Sequence, residues 1–193
     1  QEGQWVLVHG ASGGVGLAAC DLALALGAKV IASTGSEAKM ATIVMKAGTS
    51  ASLDAVILAK GRFREDVARL TEGHLADIVF DPVGGDVFDE STRCVAFGGK
   101  LVVVGFTSGR IADVSTNIPL IKGFSIVGLR AGEYARRFPE RGATIHRAIS
   151  RLAETGAISP AIDRTLPLSR WREGFEAMAR RQLVGKVVFV PDS

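Results

Sequence analysis

The chain has 193 residues, 47% of them hydrophobic and 22% charged, enough for one sizeable buried core with an appendage. A formal charge of +3, one Tyr and two Trp do not make a basic, base-stacking surface, which argues against nucleic acid as a partner. No apolar run reaches the ~20 residues of a membrane span, and Gln1-Glu2-Gly3 lacks the positive start of a signal peptide, so the expected place is the cytoplasm.

Residues 5–16, WVLVHGASGGVG, open the chain with an apolar run that ends in a glycine-dense turn. Trp5–Val8 reads as a strand and Gly14–Leu26 as a helix stopped by Gly27. This is the strand–turn–helix context of a dinucleotide-binding fingerprint. Gly13 lets the chain leave the strand, Gly14 removes a side chain where a pyrophosphate would approach, and Gly16 lets the helix lie close. The helix start then offers unpaired N–H groups and a positive dipole end to an anion. Ala11 stands where G-x-G-x-x-G has its first glycine, which suits a turn that does not demand positive φ there.

Lys29–Ala32 reads as the second strand. Ser36–Ala47 follows as a helix, capped by Ser36 and ended by Gly48. A short strand is expected near Ala51–Leu53, a helix over Phe63–Leu70 and a strand over Asp77–Phe80. Asp86–Phe97 reads as a helix closed by Gly98-Gly99, then Leu101–Val104 and Phe124–Leu129 as strands. Runs such as LVVV and DIVF are apolar without alternation, as in strands covered on both faces. Repeated βα units predict an α/β fold: a Rossmann-type, doubly wound parallel sheet with helices on both faces.

The rhythm changes after Leu129. Glu140–Glu154 is an amphipathic helix with Ile145, Ala148, Ile149 and Leu152 on one side. ISPAI and RTLPL each contain a proline and suit only edge or irregular strands. A helix over Ser169–Arg181 and a strand over Lys186–Val190 complete the pass. The division expected is a dinucleotide-binding domain over 1–155 and a segment over 156–193 that belongs with a second domain lying outside this sequence. The arginines from Arg130 to Arg181 mostly stand opposite apolar positions, as on a solvated face. Cys20 and Cys94, both expected inside helices, read as buried free thiols. With His9, His74 and His146 scattered, no zinc site can be built.

HGASGGVG with LALALGAKVIAST, then DPVGGDVFDESTRCVAFGGKLVVVGFTSG, IPLIKGFSIVG and GKVVFVP, resembles the medium-chain dehydrogenase/reductase superfamily. Within it the likeness is greatest to the zinc-independent NADPH:quinone oxidoreductases, and it runs along essentially the whole chain. The resemblance implies a GroES-like catalytic domain before the Rossmann domain, to which the C-terminal segment returns. It implies NADPH as cofactor, hydride transfer to a quinone or another α,β-unsaturated carbonyl, and a homodimer paired through Ile118–Leu129.

The resemblance also implies a cofactor site. Ser12, Gly13, Gly14 and Val15 would line the pyrophosphate, Thr34 and Lys39 the adenosine ribose, and Val83 and Gly84 the adenine side. Gly105, Phe106, Thr107 and Leu129 would run towards the nicotinamide, and Arg181 would close over the 2′-phosphate. A tyrosine common after the third strand is replaced here by Leu53-Asp54-Ala55. The residues themselves favour NADPH over NADH. An NAD enzyme carries an acid about 20 residues past the fingerprint, where this chain has Ser33 and Thr34. Lys39 can pair with a 2′-phosphate, although Glu37 stands close by.

Gly10, Gly14 and Gly16 also fit the short-chain dehydrogenase turn, but that chemistry needs Tyr-x-x-x-Lys, and Tyr134 is followed at that spacing by Phe138. A P-loop needs Gly-Lys-Ser/Thr, which Val15-Gly16-Leu17 does not supply. An enoyl reductase module of a polyketide synthase, and a cofactor-binding module with no turnover of its own, are the alternatives. No residue is marked as the catalytic acid, base or nucleophile.

Overall fold

The computed structural model describes residues 2–47, 53–60 and 62–192. Six strands form one sheet: β1 (Trp5–Val8), β2 (Lys29–Thr34), β3 (Ala55–Leu58), β4 (Ala76–Asp81), β5 (Val95–Val103) and β6 (Ser125–Gly128). Their spatial order is β3-β2-β1-β4-β5-β6 and every pairing is parallel. Helices α1 (Gly14–Ala25), α2 (Met40–Lys46), α3 (Arg64–Leu70), α4 (Gly85–Ser91) and α5 (Asn117–Lys122) lie in the crossovers.

The period-two geometry of the strands divides the core into two layers. Leu7, Ile31, Val79 and Leu101 point to one face and pack with Phe63, Val67 and Phe88 from α4 and the α3 region. Their neighbours Val6, Val8, Val30 and Ala32 point to the other face and pack with Leu17, Cys20, Leu24 and Ile43 of α1 and α2. Burial on both sides accounts for strands that are apolar without alternation. The sheet is doubly wound as expected, and its winding reverses between β1 and β4, where such sheets place ligands at their carboxyl ends.

The remaining elements are α6 (Ala131–Arg137), α7 (Pro139–Glu154), β7 (Ile162–Pro167), α8 (Trp171–Ala179) and β8 (Lys186–Val190). β7 and β8 pair in parallel as a separate two-stranded sheet, with α8 as the crossover that parallel pairing requires. α7 packs on α6, where a Cβ on Gly142 would stand 2.8 Å from Cβ of Ala135. No residue of α7 is buried, and Ile145 and Ile149 are exposed.

Several boundaries differ from the sequence-based ones. The helix expected over 86–97 ends at Ser91, and Val95–Phe97 already belong to β5. Gly98 and Gly99 do not close a helix; they lie inside β5, beside a register shift against β4. A Cβ on Gly99 would sit 2.9 Å from the Asp77 carbonyl, so this close approach needs glycine. Cys94 is therefore in the turn before β5 rather than in a helix. Like Cys20 it is a buried free thiol, and burial pushes both up to about 12.

Ser36 makes no side-chain cap. Its N–H instead donates to Thr34 Oγ1 (3.2 Å), and a 3₁₀ turn, Glu37–Lys39, precedes α2. The third strand lies later than expected, because Asp54 first ties itself to Val30 through its side chain (2.6 Å) and its own N–H (3.1 Å). Gly48 and Ala51, named in the sequence reading, lie outside the described residues. ISPAI is irregular up to Ile162, where β7 begins and takes in RTLP.

Candidate cofactor site

β1 ends in the middle of the sheet, so the turn after it opens at the point where the winding reverses. His9 N–H donates to the Phe80 carbonyl (3.0 Å) and Ala11 N–H to the Ser33 carbonyl (2.9 Å), tying the turn to both neighbouring strands. The positive φ falls at Gly10 (+62°), whereas Gly13 is extended at −88°, so the glycine that turns the chain is Gly10. Ala11 has no positive φ, which is why alanine serves there. A Cβ on Gly16 would lie 2.4 Å from the Gly10 carbonyl oxygen, so the helix sits on the turn as closely as a glycine allows. Ser12, Gly13, Gly14 and Val15 form the rim, and the first N–H groups of α1 have no intrahelical partner.

The second wall is built on Asp81 at the end of β4. Its Oδ1 accepts the N–H groups of Val83 (2.7 Å) and Gly84 (3.0 Å). Its carbonyl accepts Val104 N–H (2.9 Å) at the end of β5. The side chain is 1% exposed and Oδ2 has no partner among the described residues; burial raises this carboxyl, with the two N–H groups opposing. Thr107 N–H and Ser108 N–H donate to the carbonyls of Pro82 (3.1 Å) and Val83 (2.9 Å), lacing the loop after β5 onto the DPVGG turn. A Cβ on Gly84, at φ +71°, would meet the Phe106 ring at 3.0 Å, and one on Gly10 would meet Val83 at 3.3 Å. Gly10, Val83, Gly84, Gly105, Phe106 and Thr107 are thus brought together. A cavity of about 450 Å³ opens beyond them, between Ala59–Lys60 and Gly84–Val87.

Ser33 and Thr34 are both buried at the end of β2, with the Thr34 hydroxyl taken by Ser36 N–H. No acid stands there. Lys39 Nζ donates to the Leu183 carbonyl (2.8 Å). Burial lowers this ammonium, Asp163 acts against that, and the nearby Arg181 guanidinium lowers it further. Arg181 itself sits just past α8 at φ +54°. An arginine in that left-handed conformation costs roughly 1 kcal/mol that a glycine would not. Leu129, half-exposed, follows β6 and bonds to the Val103 carbonyl (2.9 Å). From β2 to β6 the line of strand ends measures about 19 Å at the usual strand spacing.

Two features were missed in the sequence. Lys186 lies over the glycine turn: a Cβ on Gly14 would be 2.9 Å from its Cγ and 3.0 Å from its Nζ. Nothing local marks a lysine 172 residues away as part of this rim. His9 is fully buried and spans Ser33 Oγ (2.6 Å) and Ser91 Oγ (2.7 Å) with its two ring nitrogens. Ser91 donates to the Val87 carbonyl (2.6 Å), so its oxygen accepts from Nε2–H, and Nδ1 accepts from Ser33. Burial lowers the imidazole to about 3, and it stays neutral. Only its position before Gly10 was legible.

Among the described residues no group of three or more His, Cys, Asp or Glu could hold a metal ion, and no helix is long and apolar enough to cross a membrane. A parallel sheet wound from its centre, a glycine turn opening into a helix there, and N–H groups at that helix start without intrahelical partners define a Rossmann-type dinucleotide-binding domain. Residues 14–149 match the family described as zinc-binding dehydrogenase, and the chain belongs to it. It is 37% identical over 190 residues to quinone oxidoreductase-like protein 2 of Bos taurus, covering 97% of this chain and 53% of that one. It is 34% identical over 194 residues to acryloyl-coenzyme A reductase of Sulfurisphaera tokodaii, covering 99% and 52%. The structure of mycobacterial Rv1454c complexed with NADPH superimposes with a TM-score of 0.85 at 26% identity, over 99% of this chain and 57% of that one. The chain spans about half the length of the curated relatives it matches.

Proposed function

We propose that this chain binds NADPH across the carboxyl ends of β2 to β6, as the cofactor domain of an oxidoreductase that reduces a quinone or another α,β-unsaturated carbonyl. The observation that carries it is the charge arrangement around the glycine turn. Lys39, off the end of β2, which has no acid, lies within electrostatic reach of Arg181, and Lys186 lies over Gly14. The cradle fits a diphosphate: a side chain at Gly10, Gly14 or Gly84 would fill it.

In this reading Ser12, Gly13, Gly14, Val15 and Lys186 hold the pyrophosphate. Thr34, Lys39 and Arg181 surround the 2′-phosphorylated ribose, and Val83 and Gly84 flank the adenine side. Gly105, Phe106, Thr107 and Leu129 wall the nicotinamide end, where the Phe106 ring and the Leu129 side chain exclude water from one face. NADPH, when bound, supplies a hydride from C4. The domain itself orients and shields the ring. Residues 1–155 form the body of this domain, in the cytoplasm, and 156–193, with their own two-stranded sheet, lend Arg181 and Lys186 to the cradle and pack with a further domain that contributes the substrate side.

Titration with NADPH and NADH, followed by nicotinamide fluorescence, tests this. NADPH is expected to bind at least about tenfold more tightly, as one charge-assisted contact would give. Lys39→Glu is expected to weaken NADPH by about 100-fold and to leave NADH within about threefold. Equal affinities in the wild type would overturn the 2′-phosphate assignment.

The open edge of β6 supports a homodimer. Among the described residues β6 pairs only with β5, and Leu120, Ile121 and Val127 are exposed near it. Sedimentation at high concentration is expected to give a dimer, and a clean monomer would remove that expectation.

A further inference from the structure

The segment that joins α8 to β8, residues 181–186, runs along the phosphate side of the cradle as a strap. It is held at Leu183, Val184 and Gly185. Gly185 N–H donates to the Ser12 carbonyl (3.0 Å), and Gly13 and Gly185 pair as parallel strands do. The Leu183 carbonyl takes Lys39. Val184, almost fully buried, is gripped from two sides: its N–H donates to Asp163 Oδ1 (3.0 Å) and its carbonyl accepts from Lys46 Nζ (3.0 Å). Lys46 also reaches the Ile162 carbonyl (3.3 Å) and pairs with Asp163 (3.5 Å).

Lys46 stands seven residues after Lys39, two helical turns along the same face. Each lysine therefore holds one of two consecutive strap carbonyls. The strap carries Arg181 at one end and Lys186 at the other. Gly185 leaves it little slack, because a Cβ there would lie 2.2 Å from the Ala161 carbonyl oxygen.

We propose that Lys46, with Asp163, is a specificity-determining positioning residue. By clamping Val184 it sets the Lys39–Arg181 gap, and through it the preference for a 2′-phosphorylated dinucleotide. This rests on the assignment of Lys39 and Arg181 to the 2′-phosphate. Among the described residues the polar partners of Lys46 lie on the strap and β7, so its influence is exerted through backbone position.

The test is the ratio of NADPH to NADH affinity, measured by titration of the 193-residue chain with each cofactor. Lys46→Met is expected to lower that ratio about tenfold while NADH affinity moves less than about twofold, with Lys46→Arg restoring most of it. Asp163→Asn separates position from charge. Removing a negative charge near the pocket would by itself tighten NADPH, whereas loosening the clamp weakens it, and weakening is the expected result. A tighter NADPH complex in Asp163→Asn, an unchanged ratio, or an equal loss for both cofactors would overturn the proposal. Should Lys46→Met fail to fold, the sign of the Asp163→Asn effect decides alone. A wild type with no preference would instead refute the 2′-phosphate assignment itself. A preference sensitive to Lys39→Glu but not to Lys46→Met would refute only the clamp.

Discussion

Gly16→Ala is expected to abolish dinucleotide binding and to lower stability by about 3 kcal/mol, the upper end of ordinary overpacking costs. In the third residue of a helix alanine is intrinsically better than glycine by about 1 kcal/mol, so propensity works against this outcome. The collision decides it. The new Cβ would lie 2.4 Å from the Gly10 oxygen, 2.7 Å from its carbonyl carbon and 2.8 Å from Ala11 Cα, all of them backbone atoms. No side chain can swing aside, so either α1 moves off the sheet or the turn deforms at the place where a phosphate would bind. Gly13→Ala is the control. Its Cβ would meet only the Gly10 oxygen at 3.4 Å, an ordinary contact, and its φ of −88° suits any residue. It should cost less than about 1 kcal/mol. Urea unfolding with NADPH titration of the two variants checks this, and equal behaviour of the pair would remove the helix-contact argument.

Lowering the pH from 7 to 5 is expected to cost roughly 2 kcal/mol of stability through His9 alone. Its imidazole is held to about 3 by burial, against an ordinary 6.5 in the unfolded chain. Between those values the unfolded state binds the extra proton, so stability falls as pH falls through that window. Protonation would turn Nδ1 from an acceptor for Ser33 into a donor and place a charge between three packed elements. Asp81 works the other way, since a carboxyl raised by burial gains from acid. Comparing urea midpoints at pH 7 and pH 5 for the wild type and His9→Asn isolates the histidine. The variant should lose most of the slope while being less stable at pH 7. An unchanged slope would assign the acid sensitivity to other groups.

The sheet was legible because its strands are short apolar runs set between glycine-rich or polar turns, and the glycine turn because strand, turn and helix are contiguous. Val95–Phe97 misled because DVFDESTRCVAF carries helical spacing through to the glycines. Only the approach of Gly99 to β4, a tertiary contact, turns these residues into strand. The rim of the site divides in the same way. Val83, Gly84, Gly105 and Phe106 follow strand ends and can be placed by topology. Lys186 and the Lys46–Asp163 clamp depend on contacts between residues more than 100 positions apart, and no local pattern records such distances.

Because Gly185 bonds to Ser12, the two rims of the cradle come from positions about 170 residues apart, one made well before the other. During synthesis the Rossmann sheet can assemble while the phosphate side is still open. Its closure then joins positions about 170 residues apart, at an entropic cost that grows only slowly with that separation. A chain interrupted before the strap would keep the six-stranded sheet but lose β8, Arg181 and Lys186, and would hold the cofactor weakly.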